Sequence, residues 1–182
     1  KRKRVRWLLK LQRVCEIPFR LLIVGSVPED EDRARYHLGT MEAVRDSRTR
    51  GHSVSVLSDL SSAKLQALYR DADIFVLPSI REPFAISPLE AMSFGLPVVV
   101  ASDGGAASYV RNNSTGLIFR TGSFYSFKRA CIRLLGDRPL ARMLGDQARL
   151  SIRLEYSSAV FVEKLRALAA RDWEILEVWR SW

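Results

Sequence analysis

The sequence predicts an α/β fold, a doubly wound parallel sheet (Rossmann-like) with C-terminal helices, and three observations carry that prediction. Five short runs rich in Val, Ile and Leu punctuate the first 120 residues. Several are continuous rather than alternating, as strands buried on both faces are. Helical patterns separate most of them, and regular alternation of strand and helix implies parallel pairing through crossovers. At 182 residues the chain is long enough for one domain with a real core.

In chain order, residues 1–17 predict a basic N-terminal helix, 18–122 an α/β core and 123–182 C-terminal helices. The strand candidates are Leu21–Gly25 (LLIVG), Ser53–Ser58 (SVSVLS), Asp73–Ser79 (DIFVLPS), Pro97–Ser102 (PVVVAS) and Gly116–Arg120 (GLIFR). Pro28-Glu29-Asp30-Glu31-Asp32 opens a helix that Arg45, Arg48 and Arg50 close, so both ends suit the helix dipole. A second helix, from about Ser61, sets Leu65, Leu68 and Tyr69 on one face. Ser123 can cap a helix through Leu135, and Asp137 begins another. Ser157 or Ser158 caps a long last one whose stripe runs from Phe161 through Leu165, Leu168, Trp173 and Leu176 to Trp179. Core packing is the ordinary reading of that stripe; a partner helix or a further domain is the sharper one.

Composition narrows the classes of function. The chain has 27% charged residues, too ordered a balance for disorder, and no apolar run near the roughly 20 residues that span a bilayer. Cys15 and Cys131 make neither a metal spacing nor a disulfide framework, and with 2 His zinc chemistry is not expected. The start carries no cleavage pattern, so a reducing, cytoplasmic compartment is the expectation. Charge is uneven: 8 basic and 1 acidic residue in 1–20, 9 and 12 in 21–119, 12 and 7 in 120–182. A protein that reads nucleic acid concentrates positive charge on its recognition element, whereas here the motif-bearing middle is slightly acidic, so no specific nucleic acid is expected. The basic ends read as solvated faces or as peripheral attraction to an anionic membrane.

The segment REPFAISPLEAMSFGLPVVVASDGG, residues 81–105, holds the chemistry. Glu82 lies in the loop leaving the strand Asp73–Ser79, where ligands bind in open α/β sheets. Ser87, Pro88 and Glu90 read as N-cap, first position and third position of a capping box, with the helix Pro88–Phe94 stopping at Gly95 before Pro97. A capping box needs no ligand, so Glu90 stands between that structural role and a binding one. A helix start in this place offers free N–H groups and a positive dipole end for phosphate. Carboxylates on either side accept hydrogen bonds from hydroxyls. Sugar, diphosphate and ribose in series have that shape.

This segment, Glu82 and Glu90 separated by seven residues, then a small-residue helix, Gly95-Leu96-Pro97 and a valine strand, resembles the signature of retaining glycosyltransferases of the glycosyltransferase-B fold, family 4 type. LLIVGS, LSSAKLQALYRDADIFVLPS and SDGGAASYVRNNSTGLIF resemble the flanking elements, and the similarity covers about residues 18–168. VGSVPEDEDRAR with SVSVLSDLSSAKLQALYRDADIFVLPSIREPF looks more like the trehalose glycosyltransferring synthases than like the lipopolysaccharide enzymes. The resemblance implies that 1–182 is a single partial C-terminal, donor-binding domain. Glu82 would act on the donor sugar as the catalytic carboxylate, orienting it and stabilising positive charge. The N–H groups of Phe84, Ala85, Ile86 and Ser87 would receive the diphosphate, Glu90 the ribose hydroxyls, and Leu57, Asp59 and Leu60 would border the base. Gly25 would let backbone approach the donor. The implied reaction moves a glycosyl group from a nucleotide-diphosphate sugar to an acceptor hydroxyl with retention, without a metal or other cofactor; the acceptor, sugar or lipid, is left open. A non-catalytic nucleotide-sugar-binding fragment or inactive remnant is the alternative.

Three departures from the family pattern matter. The family's diphosphate-clamping Arg and Lys come from a Gly-Arg…Lys-Gly segment after the first strand; here Lys1-Arg2-Lys3-Arg4 or Arg81 would have to stand in. Ser108 occupies the place of a Glu after the Gly-Gly turn. The N-terminal acceptor-binding domain and the first strand of the domain are expected to be absent. That strand would lie centrally, between LLIVG and DIFVLPS. Without it these two must pair directly or leave unpaired backbone, each buried group costing roughly 1–3 kcal/mol. The chain alone is therefore expected to be poorly stable or inactive, and cooperative melting with sugar transfer by the isolated 182 residues would refute that.

Overall fold

The structure, a computed structural model, describes residues 3–25, 41–49 and 53–156. Helix α1 (Arg6–Val14) leads to strand β1 (Leu21–Gly25), and helical residues 41–49 (α2) lead to β2 (Val54–Ser58). Then follow α3 (Ser62–Asp71), β3 (Phe75–Leu77), α4 (Ile86–Ser93), β4 (Val98–Ala101), a 3-10 turn (Gly105–Ser108) and β5 (Gly116–Phe119). Helices α5 (Phe124–Gly136) and α6 (Arg138–Glu155) close the described chain. The expected final helix and the opening of the helix at Pro28 lie outside the described residues.

All pairing is parallel, as alternation of strand and helix requires, but the sheet comes in two pieces: β1 with β2, and β3-β4-β5. LLIVG and DIFVLPS do not pair directly with each other among the described residues. The pieces share a core on one face, where Leu21, Val54, Val99, Ala101, Leu117 and Phe119 pack with α1, α2 and α5. On the other face Val98 and Val100 pack with Tyr69 of α3 and Ala91 and Met92 of α4. Every residue of β4 is buried, which is why its sequence is all apolar rather than alternating. Helix α6 serves both faces, giving Ala141 and Leu144 to the first core and Ala148 to the second. Its Gly145 permits close approach to α4: a Cβ there would lie 2.0 Å from the Gly95 carbonyl oxygen.

Helix α1 reaches both pieces of the sheet. Trp7 packs against Phe119, Phe124 and Phe127, at 6.2, 5.6 and 5.4 Å between ring centroids. A turn and a half further on, the buried Gln12 donates from Nε2 to the carbonyls of Phe19 (3.2 Å) and Ser53 (3.0 Å) and accepts from Ser47 Oγ at 3.3 Å. One amide side chain thus satisfies backbone at the amino ends of β1 and β2, and Arg13 pairs with Asp46 of α2. Replacing Gln12 by Leu is expected to cost about 1–3 kcal/mol, the price of stranding those buried partners, measurable by urea unfolding.

The caps fall where side-chain chemistry places them. Ser61, Ser123 and Asp137 accept from the N–H groups of Lys64, Ser126 and Leu140. One expectation is corrected. Helix α4 begins at Ile86 with Ala85 as its N-cap and no side-chain cap, so Ser87, Pro88 and Glu90 form no capping box. Pro88 stands third in the helix, where its missing N–H still costs nothing. β3 is shorter than the expected Asp73–Ser79, running from Phe75 to Leu77. The helix stop is as expected, with Gly95 at φ +82°.

Candidate functional site

The carboxyl ends of β1, β2 and β3 carry the candidate residues, in the place where open parallel sheets bind ligands. Gly25 ends β1, and a Cβ there would meet nothing within 4 Å. Leu57 lies within β2, while Asp59 and Leu60 form the turn after it. Four non-glycine residues among those described have left-handed backbone, and three of them, Arg4 (φ 47°), Asp59 (φ 51°) and Arg81 (φ 51°), lie in these loops or beside them. Such conformations are disfavoured for side chains with a Cβ and persist only where the surroundings hold them.

Glu82 is largely covered, its side chain 15% exposed, and its Oε2 lies 3.2 Å from Lys3 Nζ. This contact joins residues 79 apart in sequence and places Lys3 of the N-terminal basic run. Lys3 is brought to Glu82 by the turn at Arg4, the step before α1. Arg81 is exposed; its backbone N–H donates to Asp103 Oδ1 at 3.4 Å.

The loop after Glu82 is held from below by the Gly104-Gly105 turn. Gly105 N–H donates to the Glu82 carbonyl at 2.7 Å, and a Cβ on Gly105 would stand 2.0 Å from the Pro83 carbonyl oxygen. Only glycine allows that approach. Ser108, in the place of the family's Glu, turns its hydroxyl back to the Gly105 carbonyl at 2.7 Å, closing the 3-10 turn. The Tyr109 hydroxyl donates to the Ala85 carbonyl, and its ring meets Phe84 edge-on at 6.0 Å. Gly105 and Tyr109 are supports that motif reading did not single out as site residues; the Gly-Gly pair was the available signal for the first.

Above that support, Phe84 (60% exposed), Ala85, Ile86 (62% exposed) and Ser87 lead into α4. None of their four N–H groups donates to another described residue. Those of Ala85, Ile86 and Ser87 are unsatisfied donors of the helix start, and that of Phe84 lies just before it. Glu90, one turn on, faces α3: its Oε2 accepts from the Tyr69 hydroxyl at 3.0 Å, with Tyr69 stacked on Phe94 at 5.4 Å. Burial, then the hydrogen bond and charge of Glu90, push the Tyr69 phenol well above its ordinary range. Glu82 and Glu90 thus sit on either side of the amide run, each already oriented by a partner. Two open depressions, around Tyr125–Arg133 and at Gln12–Ser53, include none of these residues.

Burial, with a smaller contribution from Tyr156, pushes Tyr109 up to about 12. The unfolded phenol titrates near 10, so between about pH 10 and 12 the unfolded state binds fewer protons and stability falls as pH rises. Tyr109→Phe should flatten that fall in chemical denaturation series, and an equal slope in both proteins would count against the buried hydroxyl.

A strand–helix alternation with all-parallel pairing defines a Rossmann-like domain. The chain belongs to the glycosyl transferases group 1 family, whose sequence profile matches residues 1–151. It is 33% identical over 133 residues to the sulfoquinovosyl transferase SQD2 of Arabidopsis thaliana, covering 71% of this chain and 24% of that protein. It is 36% identical over 95 residues to a D-inositol 3-phosphate glycosyltransferase of Nocardia farcinica, covering 52% and 21%. The chain therefore spans about a quarter or less of these relatives. Among solved structures it matches sucrose-phosphate synthase from Thermosynechococcus elongatus with a TM-score of 0.79 at 26% identity, over 96% of this chain and 43% of that one. It also matches the C-terminal domain of a group 1 glycosyltransferase from Francisella tularensis, TM-score 0.73 at 18% identity, over 86% and 81%. The fold is that of a glycosyltransferase-B domain. No helix among the described residues is long and apolar enough to cross a membrane.

Proposed function

We propose that this chain is the donor-binding half of a retaining glycosyltransferase, which transfers a sugar from a nucleotide-diphosphate sugar to an acceptor hydroxyl. The observation that carries the reading is the run of four unpartnered N–H groups, Phe84 to Ser87, between two oriented carboxylates. Fixed donors at a helix start stabilise the charge that gathers on a departing diphosphate. Lys3 supplies a cation within reach, so the Lys-Gly of the family pattern has its counterpart in Lys3-Arg4. Arg4 at φ 47° adopts the backbone that glycine takes easily. No metal is required for that neutralisation.

In the ground state Lys3 and Glu82 hold each other. When donor enters, the ammonium turns to the diphosphate, and the carboxylate to the sugar hydroxyls. Glu82 then stabilises positive charge developing on the sugar while the departing phosphate assists the incoming hydroxyl on the same face. Glu90 gives Oε2 to Tyr69 and keeps Oε1 and further lone pairs for the ribose. Leu57, Asp59 and Leu60 border the base. The relation to solved neighbours agrees: a structural match from Anabaena, TM-score 0.78 at 19% identity, is a complex with UDP, and a second from the same protein holds UDP-glucose.

Saturation-transfer NMR with UDP, GDP and ADP and their glucose conjugates tests the reading. Binding of one nucleotide series, weakened about tenfold in Lys3→Met for diphosphate and sugar conjugate alike, is expected. No binding of any of the six at millimolar concentration would sink it. Binding without transfer, even with a donor–acceptor pair and an N-terminal half supplied, would favour the non-catalytic module.

A further inference from the structure

We propose that Tyr156, at the carboxyl end of α6, is a positioning residue for the amide run Phe84–Ser87, acting on it through Tyr109. The role rests on the donor-binding function given above and extends that site to a residue in a distant helix.

A peptide unit is planar and trans, so its C=O and N–H point in opposite directions and turn together. The Ala85 carbonyl and the Ile86 N–H belong to one such plane. The Tyr109 hydroxyl donates to that carbonyl and so grips the back of the plane whose front is the open Ile86 donor. Ala85 is the N-cap of α4 and makes no side-chain hydrogen bond of its own, which leaves its orientation to contacts from other segments. Wherever the Tyr109 oxygen goes, the direction of the Ile86 N–H follows.

That oxygen lies where its ring puts it. The Tyr109 ring meets Phe84 at 6.0 Å between centroids and 61° between planes, and Tyr156 at 6.3 Å and 67°. Both are edge-to-face pairs, a geometry that selects the tilt of the ring they share. Tyr109 is buried, and its two ring neighbours carry the exposed surface. Phe84 moves with the loop it belongs to and cannot by itself hold that loop still. Tyr156 is different, because it caps a helix whose Leu144 and Ala148 are wholly buried, one in each core.

The end of α6 is joined to the same segment a second time. Arg111, two residues beyond Tyr109, pairs with Glu155 at 2.6 Å, and Ser151 Oγ donates to the same carboxylate oxygen at 3.3 Å. The Arg111 N–H in turn donates to the buried Thr115 hydroxyl at 2.8 Å. The Tyr156 N–H closes the last turn of α6 on the Ile152 carbonyl at 3.0 Å. Residues 109–111 and 155–156 thus form a clamp made of one ring pair and one ion pair. A partly exposed ion pair adds little stability, but here it fixes the register in which the rings meet.

The relay runs from the Tyr156 ring to the Tyr109 ring, then through the Tyr109 hydroxyl and the Ala85 carbonyl to the Ile86 N–H. Without the Tyr156 ring, Tyr109 can tilt into the space left behind, and the donor it orients swings away from a bound diphosphate. The ring carries the effect rather than its hydroxyl, so phenylalanine should serve at this position.

The test compares the 182-residue chain with Tyr156→Ala and Tyr156→Phe. Residual dipolar couplings read the direction of each backbone N–H without any ligand. Those of Ala85, Ile86 and Ser87 should change in Tyr156→Ala and keep the parent values in Tyr156→Phe, while those of Val98–Ala101 stay constant in all three. Calorimetric titration with UDP, GDP and ADP should show the diphosphate bound by the parent weakened about 2- to 10-fold in Tyr156→Ala, the range of one ring–ring contact, and unchanged in Tyr156→Phe. Unmoved couplings at Ala85–Ser87 in Tyr156→Ala would overturn the role. So would changes spread evenly over β4 and α5, which would make Tyr156 a general packing residue. Equal losses in both variants would trace the effect to the hydroxyl and overturn the relay. Should Tyr156→Ala fail to fold, Tyr156→Leu, which keeps bulk without a flat ring, carries the same expectations. If the parent binds none of the three diphosphates, the donor-binding function falls, and the couplings still decide whether Tyr156 orients the amides.

Discussion

Glu82→Gln should weaken nucleotide-sugar binding about 10- to 100-fold and leave the free nucleoside diphosphate bound as tightly as before, or slightly more so. The carboxylate is placed to accept from sugar hydroxyls, and a charged hydrogen bond of about 1.5–3 kcal/mol corresponds to that range. The diphosphate feels the change only through Lys3, whose ammonium, 3.2 Å from Glu82 Oε2, is released from its ion pair. Calorimetric titration of both ligands into both proteins reads the split. An equal loss for sugar conjugate and diphosphate would mean that Glu82 shapes the loop rather than touching the sugar. With an acceptor-binding half supplied, transfer should fall further than affinity, because positive charge on the sugar is greatest in the transition state.

Gly105→Ala should abolish donor binding with Glu82 unchanged. The added methyl would meet Pro83 oxygen at 2.0 Å, Pro83 carbon at 2.8 Å and Phe84 Cα at 3.1 Å, all backbone, so the loop must lift. Lifting it breaks the 2.7 Å bond from Gly105 N–H to the Glu82 carbonyl and carries the four open amides out of place. Overpacking of this kind costs roughly 1–3 kcal/mol, a fall of several degrees in melting temperature for a domain of this size. The control is Gly122→Ala, at a glycine with φ +82° and open space around it, which should lose stability to backbone strain yet keep the site. Comparable loss of nucleotide binding in both would remove the supporting role given to Gly105.

Much of this architecture is legible in the residues. Continuous runs such as PVVVAS predict a strand buried on both faces, and all of Val98–Ala101 is buried. Ser123 caps its helix as expected, and Ser61 and Asp137 cap the helices expected to begin there, since capping depends on a few neighbouring atoms. The Ser87-Pro88 start misleads for a physical reason: proline is tolerated anywhere in a first turn, so Ile86 could begin the helix two residues early. Lys3 could not be aligned from its run of basic neighbours because its place depends on the left-handed turn at Arg4, a conformation that arginine does not advertise. The role of Gly105 likewise depends on Pro83, a contact between loops that local pattern cannot carry. Residues 26–40, which hold most of VGSVPEDEDRAR, one of the two segments resembling trehalose synthases, lie outside the described part.

Helix α1 also sets the order of events during synthesis. It leaves the ribosome before the other described elements, yet Trp7 finds Phe119, Phe124 and Phe127 only after more than a hundred further residues have been made. Until then its leucines have no permanent shelter, and the nascent chain must carry a greasy, positively charged helix that attracts chaperones and anionic surfaces alike. Closure of the shared core is therefore a late step, and ribosome-bound intermediates stalled before residue 127 should remain protease-sensitive in α1.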